Sequence, residues 1–133
     1  MSVLVDSNII LDVVTADLQW GSWSEEHLER LADESVLVIN PLIYAEVAVG
    51  FERIEDVDRV LPSELFRRES LPFEAAFLAG QCFSLYRQRG GRRTRTLPDF
   101  FIGAHAAVRG WRLLTRDPAR YRTYFPSLAI VAP

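Results

Sequence analysis

Four carboxylates stand where the sequence predicts that strands end or helices begin. Asp6 closes a short apolar run near the start of the chain, and Glu46 interrupts a later one. Asp99 directly follows a proline, and Asp117 ends the run Leu-Leu-Thr-Arg-Asp. Carboxylates held within a few ångströms repel one another, so such a group must take up protons or bind a cation. Oxygen ligands without His or Cys suit Mg²⁺ or Mn²⁺.

Mg²⁺ retains bound water, and it can activate that water while stabilising an in-line displacement at phosphorus. The four acids therefore predict a metal-dependent enzyme that acts on phosphodiesters. Asn8 and Thr115 lie close in sequence to two of the acids and add neutral oxygens or donors. Both residue types also serve commonly in turns and helix caps, so their position alone does not separate the two roles.

Each acid also has an ordinary structural interpretation. Asp6 and Asp117 could simply cap the helices that follow them. Asp99 could be a first-turn acid favoured by the helix dipole. Glu46 could lie on a helix face that points to water. Taken together, the four placements favour a shared site over four independent coincidences.

Composition indicates an ordinary soluble globular protein. The chain has 133 residues, of which 49% are hydrophobic and 25% charged, which predicts one domain over residues 1–133. The net charge of −3 does not indicate a general nucleic-acid-binding surface. A lone cysteine, Cys82, excludes an internal disulfide and a Cys-based zinc site. With no membrane-length apolar run and no signal-peptide pattern, we expect a cytoplasmic protein.

Strand-like and helix-like segments alternate along the chain. Strands are predicted at 3–5, 36–39, 65–69 (an edge strand), 112–114 and 128–131. Helices are predicted at 7–14, 24–31 with Ser24 as cap, 41–49 after Asn40 as cap, 54–61, 73–89, 97–110 and from 117–118 onward. This alternation predicts an α/β fold with a parallel sheet between two helix layers. Ligands of such sheets bind outside the carboxyl ends of the strands, where the acids are expected.

Four sequence motifs resemble the acidic motifs of PIN-domain nucleases. They are VDSNIILD at 5–12, AEV at 45–47, LPDFFIGAHA at 97–106 and LLTRD at 113–117. Their order and spacing, the chain length and the closing segment 124–133 resemble the VapC-type toxins of bacterial toxin–antitoxin pairs. The resemblance spans nearly the whole chain.

The resemblance implies a three-layer α/β/α sandwich with a central, mainly parallel sheet. It also implies an endoribonuclease that depends on Mg²⁺ or Mn²⁺ and leaves 3′-hydroxyl and 5′-phosphate ends. Asp6, Glu46, Asp99 and Asp117 match the family's catalytic and metal-binding acids, with Glu46 acting directly or through a water. Asn8 and Thr115 match supporting positions. A cognate antitoxin protein and a homodimer are the implied partners.

A non-catalytic alternative remains open at this stage. A receiver-like or partner-binding α/β domain could bind Mg²⁺ for regulation. A receiver would use a late lysine, whereas all basic residues of this chain are arginines.

A small phosphatase is a further, catalytic alternative. It would use an Asp-x-Asp pair, but the sequence has Asp6-Ser7-Asn8.

The segment 87–95 carries five arginines on an otherwise acidic chain. Its two glycines permit a loop, and arginine forks bind phosphate well. We therefore expect Arg92, Arg93 and Arg95 to contribute to RNA binding, together with Arg116 beside Asp117. The alternative is a solvated loop in which the helix C-terminus favours cations.

Other residues with chemical potential receive structural interpretations. His105 lies in an apolar helix and is predicted to be a core residue. Trp20 and Trp23, with Leu18, could stack on RNA bases, but they are predicted either to pack the junction of the first two helices or to form part of a partner surface.

Overall fold

Five strands form one parallel sheet at the centre of the protein. The structure is a computed structural model that describes residues 1–93 and 97–133. In chain order the strands are β1 Ser2–Val5, β2 Val36–Ile39, β3 Phe66–Arg68, β4 Arg112–Leu114 and β5 Ile130–Val131. Their order in the sheet is β3-β2-β1-β4-β5, and every pair is parallel. Val3, Leu4 and Val5 of the central strand are aliphatic and buried, as a parallel sheet between helices requires.

Seven helices in the described residues connect these strands. They are α1 Ser7–Val14, α2 Gly21–Glu34, α3 Pro41–Ala48, α4 Ile54–Val60, α5 Phe73–Gln88, α6 Pro98–Arg109 and α7 Ala119–Tyr124. The chain moves from β1 outward to β3, then returns past β1 to β4 and β5. Because crossovers between parallel strands are right-handed as a rule, this order assigns α1–α4 to one face and α5–α7 to the other, and neighbouring helices within each group are in contact. The predicted α/β/α sandwich is therefore confirmed. Within the described residues, no helix has the length and hydrophobicity to cross a membrane.

Helix ends follow local sequence signals at several places. The Asn40 side chain accepts a hydrogen bond from the backbone N–H of Ile43 (3.0 Å), and Pro41 occupies the first turn of α3. Gly110 ends α6 in the left-handed conformation, at φ 70°. These ends agree with the sequence prediction. His105 is completely buried and contacts Asn40 through Nδ1 (3.0 Å), as expected for a core residue.

The start of the second helix differs from its prediction. Ser24 does not cap α2, because the helix begins at Gly21 and Ser24 lies inside it, fully buried. Its hydroxyl donates to Oδ2 of Asp12 on α1 (2.8 Å). The turn before the helix is ordered instead by Asp17, whose carboxylate accepts from the backbone N–H of Trp20 (2.8 Å). The local pattern predicted Ser24 as a helix cap, but in the structure its hydroxyl makes a contact with another helix instead.

Three other predicted segments are shorter than expected. The edge strand 65–69 is reduced to Phe66–Arg68, and the last strand 128–131 to Ile130–Val131. The final helix begins at Ala119, so Asp117 lies in the loop before it. This loop follows directly from β4 and brings Asp117 to the carboxyl edge of the sheet.

Gly103 allows α7 and the residue that follows it to pack closely on α6. A Cβ atom at this position would lie 2.6 Å from Cδ2 of Phe125 and 3.0 Å from Cδ1 of Tyr121. Both rings are buried, so neither can move into solvent. Gly103 lies one helical turn after Asp99, and the close contact therefore brings the side chains of α7 to the acid.

We predict that Gly103→Ala destabilises the protein by about 1–3 kcal/mol, because overpacking forces buried rings to shift. The matched control is Gly80→Ala on α5, where a Cβ would meet no atom within 4 Å. That change should stabilise the protein by roughly 0.5–1 kcal/mol through helix propensity. Urea unfolding of both variants measures the difference. Equal stability losses in the two variants would show that α6 tolerates a side chain at 103.

Candidate active site

The candidate site lies at the carboxyl end of β1, where the strand order of the sheet reverses. β1 is followed by β2 on one side, and β4 returns on its other side. Asp6 directly follows β1 and Thr115 directly follows β4. The backbone N–H of Asp6 donates to the carbonyl of Leu114 (2.9 Å), which fixes the two strand ends side by side. Such a switch point is the usual ligand-binding position of an open α/β sheet.

Asp6 is a buried carboxylate surrounded by donors. It is 4% exposed. Its Oδ2 accepts from the hydroxyls of Thr115 and Tyr121, each at 2.8 Å, and from the amide of Asn8 at 3.4 Å. Its Oδ1 accepts from the backbone N–H of Ser7 (2.8 Å). Burial raises the pKa of Asp6, and the two hydroxyl donors oppose that rise.

Thr115 and Asn8 join the loop after β4 to α1. The Thr115 hydroxyl oxygen accepts from the Asn8 amide and from the backbone N–H of Asp117, both at 3.2 Å. The Asn8 carbonyl oxygen accepts from the backbone N–H of Arg116 (3.1 Å). These contacts fix the backbone of the loop that carries Asp117, whose side chain is exposed.

Tyr121 was not identified from the sequence, yet its hydroxyl lies between two of the predicted acids. The oxygen is 2.8 Å from Oδ2 of Asp6 and 3.3 Å from Oδ1 of Asp99. Burial raises the pKa of Tyr121 well above its ordinary value, and the charges of both acids raise it further. The side chain therefore remains a donor, with one proton between two carboxylates. In sequence, nothing distinguishes this tyrosine from one that only packs.

Asp99 occupies the first turn of α6 and has a second partner on α7. Its Oδ2 lies 3.4 Å from Nη1 of Arg120, another residue that sequence reasoning missed. Burial raises the pKa of Asp99, Arg120 lowers it, and the charge of Asp117 raises it. A favourable interaction with the helix dipole is thus not the whole role of Asp99, because its carboxylate also contacts Arg120 and Tyr121 on α7.

Glu46 points toward the same region from α3. It is partly buried, and its Oε1 accepts from the hydroxyl of Ser7 (3.0 Å). Burial raises the pKa of Glu46, the Ser7 hydroxyl lowers it, and the charges of Asp6 and Asp99 raise it again. The structure thus brings three predicted acids within electrostatic reach of one another, with Asp117 acting on Asp99.

Comparison with known proteins assigns the chain to a family. The family model described as "PIN domain" matches residues 3–126. The chain belongs to the PIN-domain family. A search of the curated proteins finds no match.

Solved structures share the fold of this PIN domain across almost its whole length. VapBC2 from Rickettsia felis, bound to a promoter DNA fragment, has a TM-score of 0.76 at 18% identity, covering 100% of this chain and 99% of that one. VapBC-1 from nontypeable Haemophilus influenzae has a TM-score of 0.74 at 20% identity, with 99% and 98% covered. A toxin–antitoxin complex from Klebsiella pneumoniae has a TM-score of 0.68 at 20% identity, with 97% and 95% covered.

The acids of the PIN domain offer the donor type that a divalent metal requires. Within residues 1–93 and 97–133, no three His, Cys, Asp or Glu side chains form a ready-made metal-binding group. The Tyr121 hydroxyl links Asp6 to Asp99, while Ser7 contacts Asp6 through its backbone N–H and Glu46 through its hydroxyl. Mg²⁺ commonly keeps several waters and takes only one or two carboxylates. An all-oxygen set of mutually repelling acids fits such an ion.

The predicted RNA-binding arginines of the PIN domain differ in their surroundings. Nε of Arg116 donates to Oδ2 of Asp12 (2.8 Å), a carboxylate only 3% exposed, so this guanidinium belongs to an internal ion pair. Arg92 and Arg93 are exposed. Arg95 lies outside the described residues. RNA binding by these residues stays a prediction.

We predict a stability difference that grows with pH between the parent PIN domain and Asp99→Asn, in the absence of metal. The folded-state pKa of Asp99 is raised, so the folded chain binds more protons than the unfolded chain between about pH 4 and the raised value. The parent should therefore lose stability relative to the variant as pH rises through that window.

Urea unfolding at a series of pH values measures this difference directly. The comparison with Asp99→Asn is needed because His105 acts in the opposite direction. Burial lowers the pKa of His105, which reduces stability below about pH 6.5 in parent and variant alike. Mg²⁺ should shrink the difference at neutral pH by binding the folded parent. A stability difference that does not change with pH would mean that the folded structure does not raise the pKa of Asp99.

Proposed function

We propose that this PIN domain is a divalent-cation-dependent endoribonuclease and the toxin of a toxin–antitoxin pair, acting as one domain over residues 1–133 in the cytoplasm. The observation that carries the proposal is the buried Asp6 carboxylate at the sheet's switch point, joined by the Tyr121 hydroxyl to Asp99 and electrostatically coupled to Glu46. A purely structural role does not require a charge such as that of Asp99 to stand where it raises the pKa of both Asp6 and Glu46, beyond the rise that burial causes.

The residues assigned to the metal are Asp6, Asp99 and Asp117, with Glu46 completing the set directly or through a water. Mg²⁺ or Mn²⁺ would supply Lewis-acid activation of water and stabilisation of the charge that develops at phosphorus. The remaining steps fall to side chains of the chain itself.

Donors around Asp6 keep that carboxylate oriented. The hydroxyls of Thr115 and Tyr121 both donate to Oδ2 of Asp6, and these two hydrogen bonds fix the position of that oxygen during the reaction. Glu46 is suited to accept a proton, because its pKa is raised toward the working pH. The Ser7 hydroxyl donates to Oε1 of Glu46, so we assign the acceptance of a proton to the other carboxylate oxygen, Oε2.

Arg120 supplies positive charge where a phosphate must approach the acids. Its guanidinium contacts Asp99 and is 40% exposed, so it can turn to an incoming anion. Arginine forks match phosphate oxygens in geometry as well as charge. Without such a cation, the acidic edge of the sheet would repel RNA.

A cognate antitoxin is the proposed partner, with a homodimer as the proposed assembly. The support is that similar solved structures are described as VapBC complexes and as a toxin–antitoxin complex. The Trp20–Trp23 surface is only partly available for a partner, because Trp23 packs against the core and stacks on His27 at 3.9 Å. Leu18 beside it is fully exposed.

We predict that the purified protein cleaves RNA with Mg²⁺ or Mn²⁺ and that Asp99→Asn lowers the rate by at least about 100-fold, as expected for removal of a transition-state electrostatic contact. Glu74→Gln is the matched control, because Glu74 is also a first-turn acid, on α5. It should leave the rate unchanged. The substrate is a whole-cell RNA pool, and products are followed by gel electrophoresis and end analysis.

Two results would contradict the nuclease proposal. One is that the parent cleaves no RNA in the pool with either metal. The other is that Asp99→Asn cuts as fast as the parent. Mg²⁺ binding without cleavage would favour the regulatory alternative, in which the acids hold the ion but perform no chemistry.

We also predict that expression from the native operon yields a complex with a small inhibitor protein. A basic side chain of that protein could pair with the acids and block the site. Adding the purified inhibitor should abolish cleavage in proportion to its amount. Recovery of the lone chain from the operon, with full activity, would count against the toxin assignment.

A further inference from the structure

A cavity of about 420 Å³ opens beside the acids, between α5, α6 and α7. Asp99 and Asp117 line one part of it, and the rings of Tyr86 and Tyr124 line another. Arg120 and Thr123 complete the wall. The volume lies within the roughly 300–1,000 Å³ range of small-molecule sites. The cavity is thus continuous with the candidate active site, but the part lined by Tyr86 and Tyr124 is aromatic rather than acidic.

Two guanidinium groups lie over the aromatic rings around this cavity. Arg120 is centred 6.0 Å from the rings of both Tyr86 and Phe100. Arg89, at the end of α5, lies 5.6 Å from the ring of Tyr124. Contacts of this kind hold a cation in place without neutralising it, and Arg120 is in addition paired with Asp99 (3.4 Å). The cavity therefore places positive charge and π surface directly beside an acidic site.

We infer that this cavity is the subsite for a nucleotide next to the scissile phosphate of a single-stranded RNA. The inference rests on the proposed function and names how the substrate is held. Arg120 and Arg89 would bind a phosphate by charge-assisted hydrogen bonds. The rings of Tyr86 and Tyr124 would pack against the base, which is a common mode of single-strand recognition.

The combination of rings and arginines favours a nucleotide over an acidic protein segment. An acidic segment would use Arg89 and Arg120 but gain little from the tyrosine rings. A base-paired duplex would hide the faces of its bases from those rings. The inference also gives a role to Arg89, because its guanidinium lies over the ring of Tyr124 in the cavity wall.

The test measures RNA binding in a Glu46→Gln background, which lacks the proposed proton acceptor and leaves the cavity wall intact. The probe is a fluorescein-labelled single-stranded oligouridylate followed by anisotropy over a range of salt concentrations. Tyr124→Leu should weaken binding about 10-fold, since stacking of one base contributes about that much. Arg89→Gln should lower the slope of log K against log salt by about 0.7, the value for one phosphate contact on a single strand.

Arg122→Gln is the matched control. Arg122 is exposed on the same short helix as Arg120 and is not part of the cavity wall. Its replacement should change the binding constant less than Arg89→Gln does. Thermal unfolding confirms that each variant is folded, and Arg89→Gln provides the result should Tyr124→Leu fail to fold.

Photocrosslinking of the Glu46→Gln protein to an oligonucleotide containing 4-thiouridine locates the base without altering the cavity. Adducts on the peptides that contain Tyr86 or Tyr124 are the expected result. Parent-like binding and salt slope in both variants, with adducts elsewhere, would overturn the subsite while leaving RNA cleavage by the parent intact. Failure of the parent to bind or cut RNA would overturn both proposals. Variants that lose only inhibitor binding would show that the cavity receives a protein segment instead.

Discussion

Burial of the Asp6 charge is the constraint on which the rest of the structure depends. A carboxylate that is 4% exposed is costly unless donors surround it. Its donors come from α1, from the end of β4 and from α7, which are far apart in sequence. Each of these elements must therefore be placed correctly before the carboxylate is satisfied. The fold and the candidate site are in this sense one arrangement, because the same hydrogen bonds hold both together.

The sheet and most helix ends could be predicted from the sequence because their signals are local. Aliphatic runs mark the buried strands, Asn40 and Pro41 mark a helix start, and Gly110 marks a helix end. The acids were recognisable for the same reason, since each lies at a strand end or on an adjoining helix. The PIN-type order of the motifs then tied them together, and the family match over residues 3–126 agrees with it.

What the sequence did not reveal depends on contacts across the fold. Tyr121 and Arg120 are ordinary helix residues until Gly103 allows their helix to approach α6. Ser24 looks like a cap until Asp12 takes its hydroxyl. The ion pair between Arg116 and the same carboxylate is likewise not indicated by the local sequence. Residues that act through a partner on another element of the fold have no local pattern, so only the assembled structure identifies them.

The sequence separation within the site bears on when it can form during synthesis. Asp6 and Tyr121, which share a hydrogen bond, are 115 residues apart. A chain still on the ribosome presents Asp6 early, whereas β4 and α7 emerge later because they follow it in the sequence. The central strand then lacks its neighbour on one side, and Asp6 lacks two of its hydroxyl donors. The candidate site is therefore completed only after β4 and α7 have been synthesised and have reached Asp6.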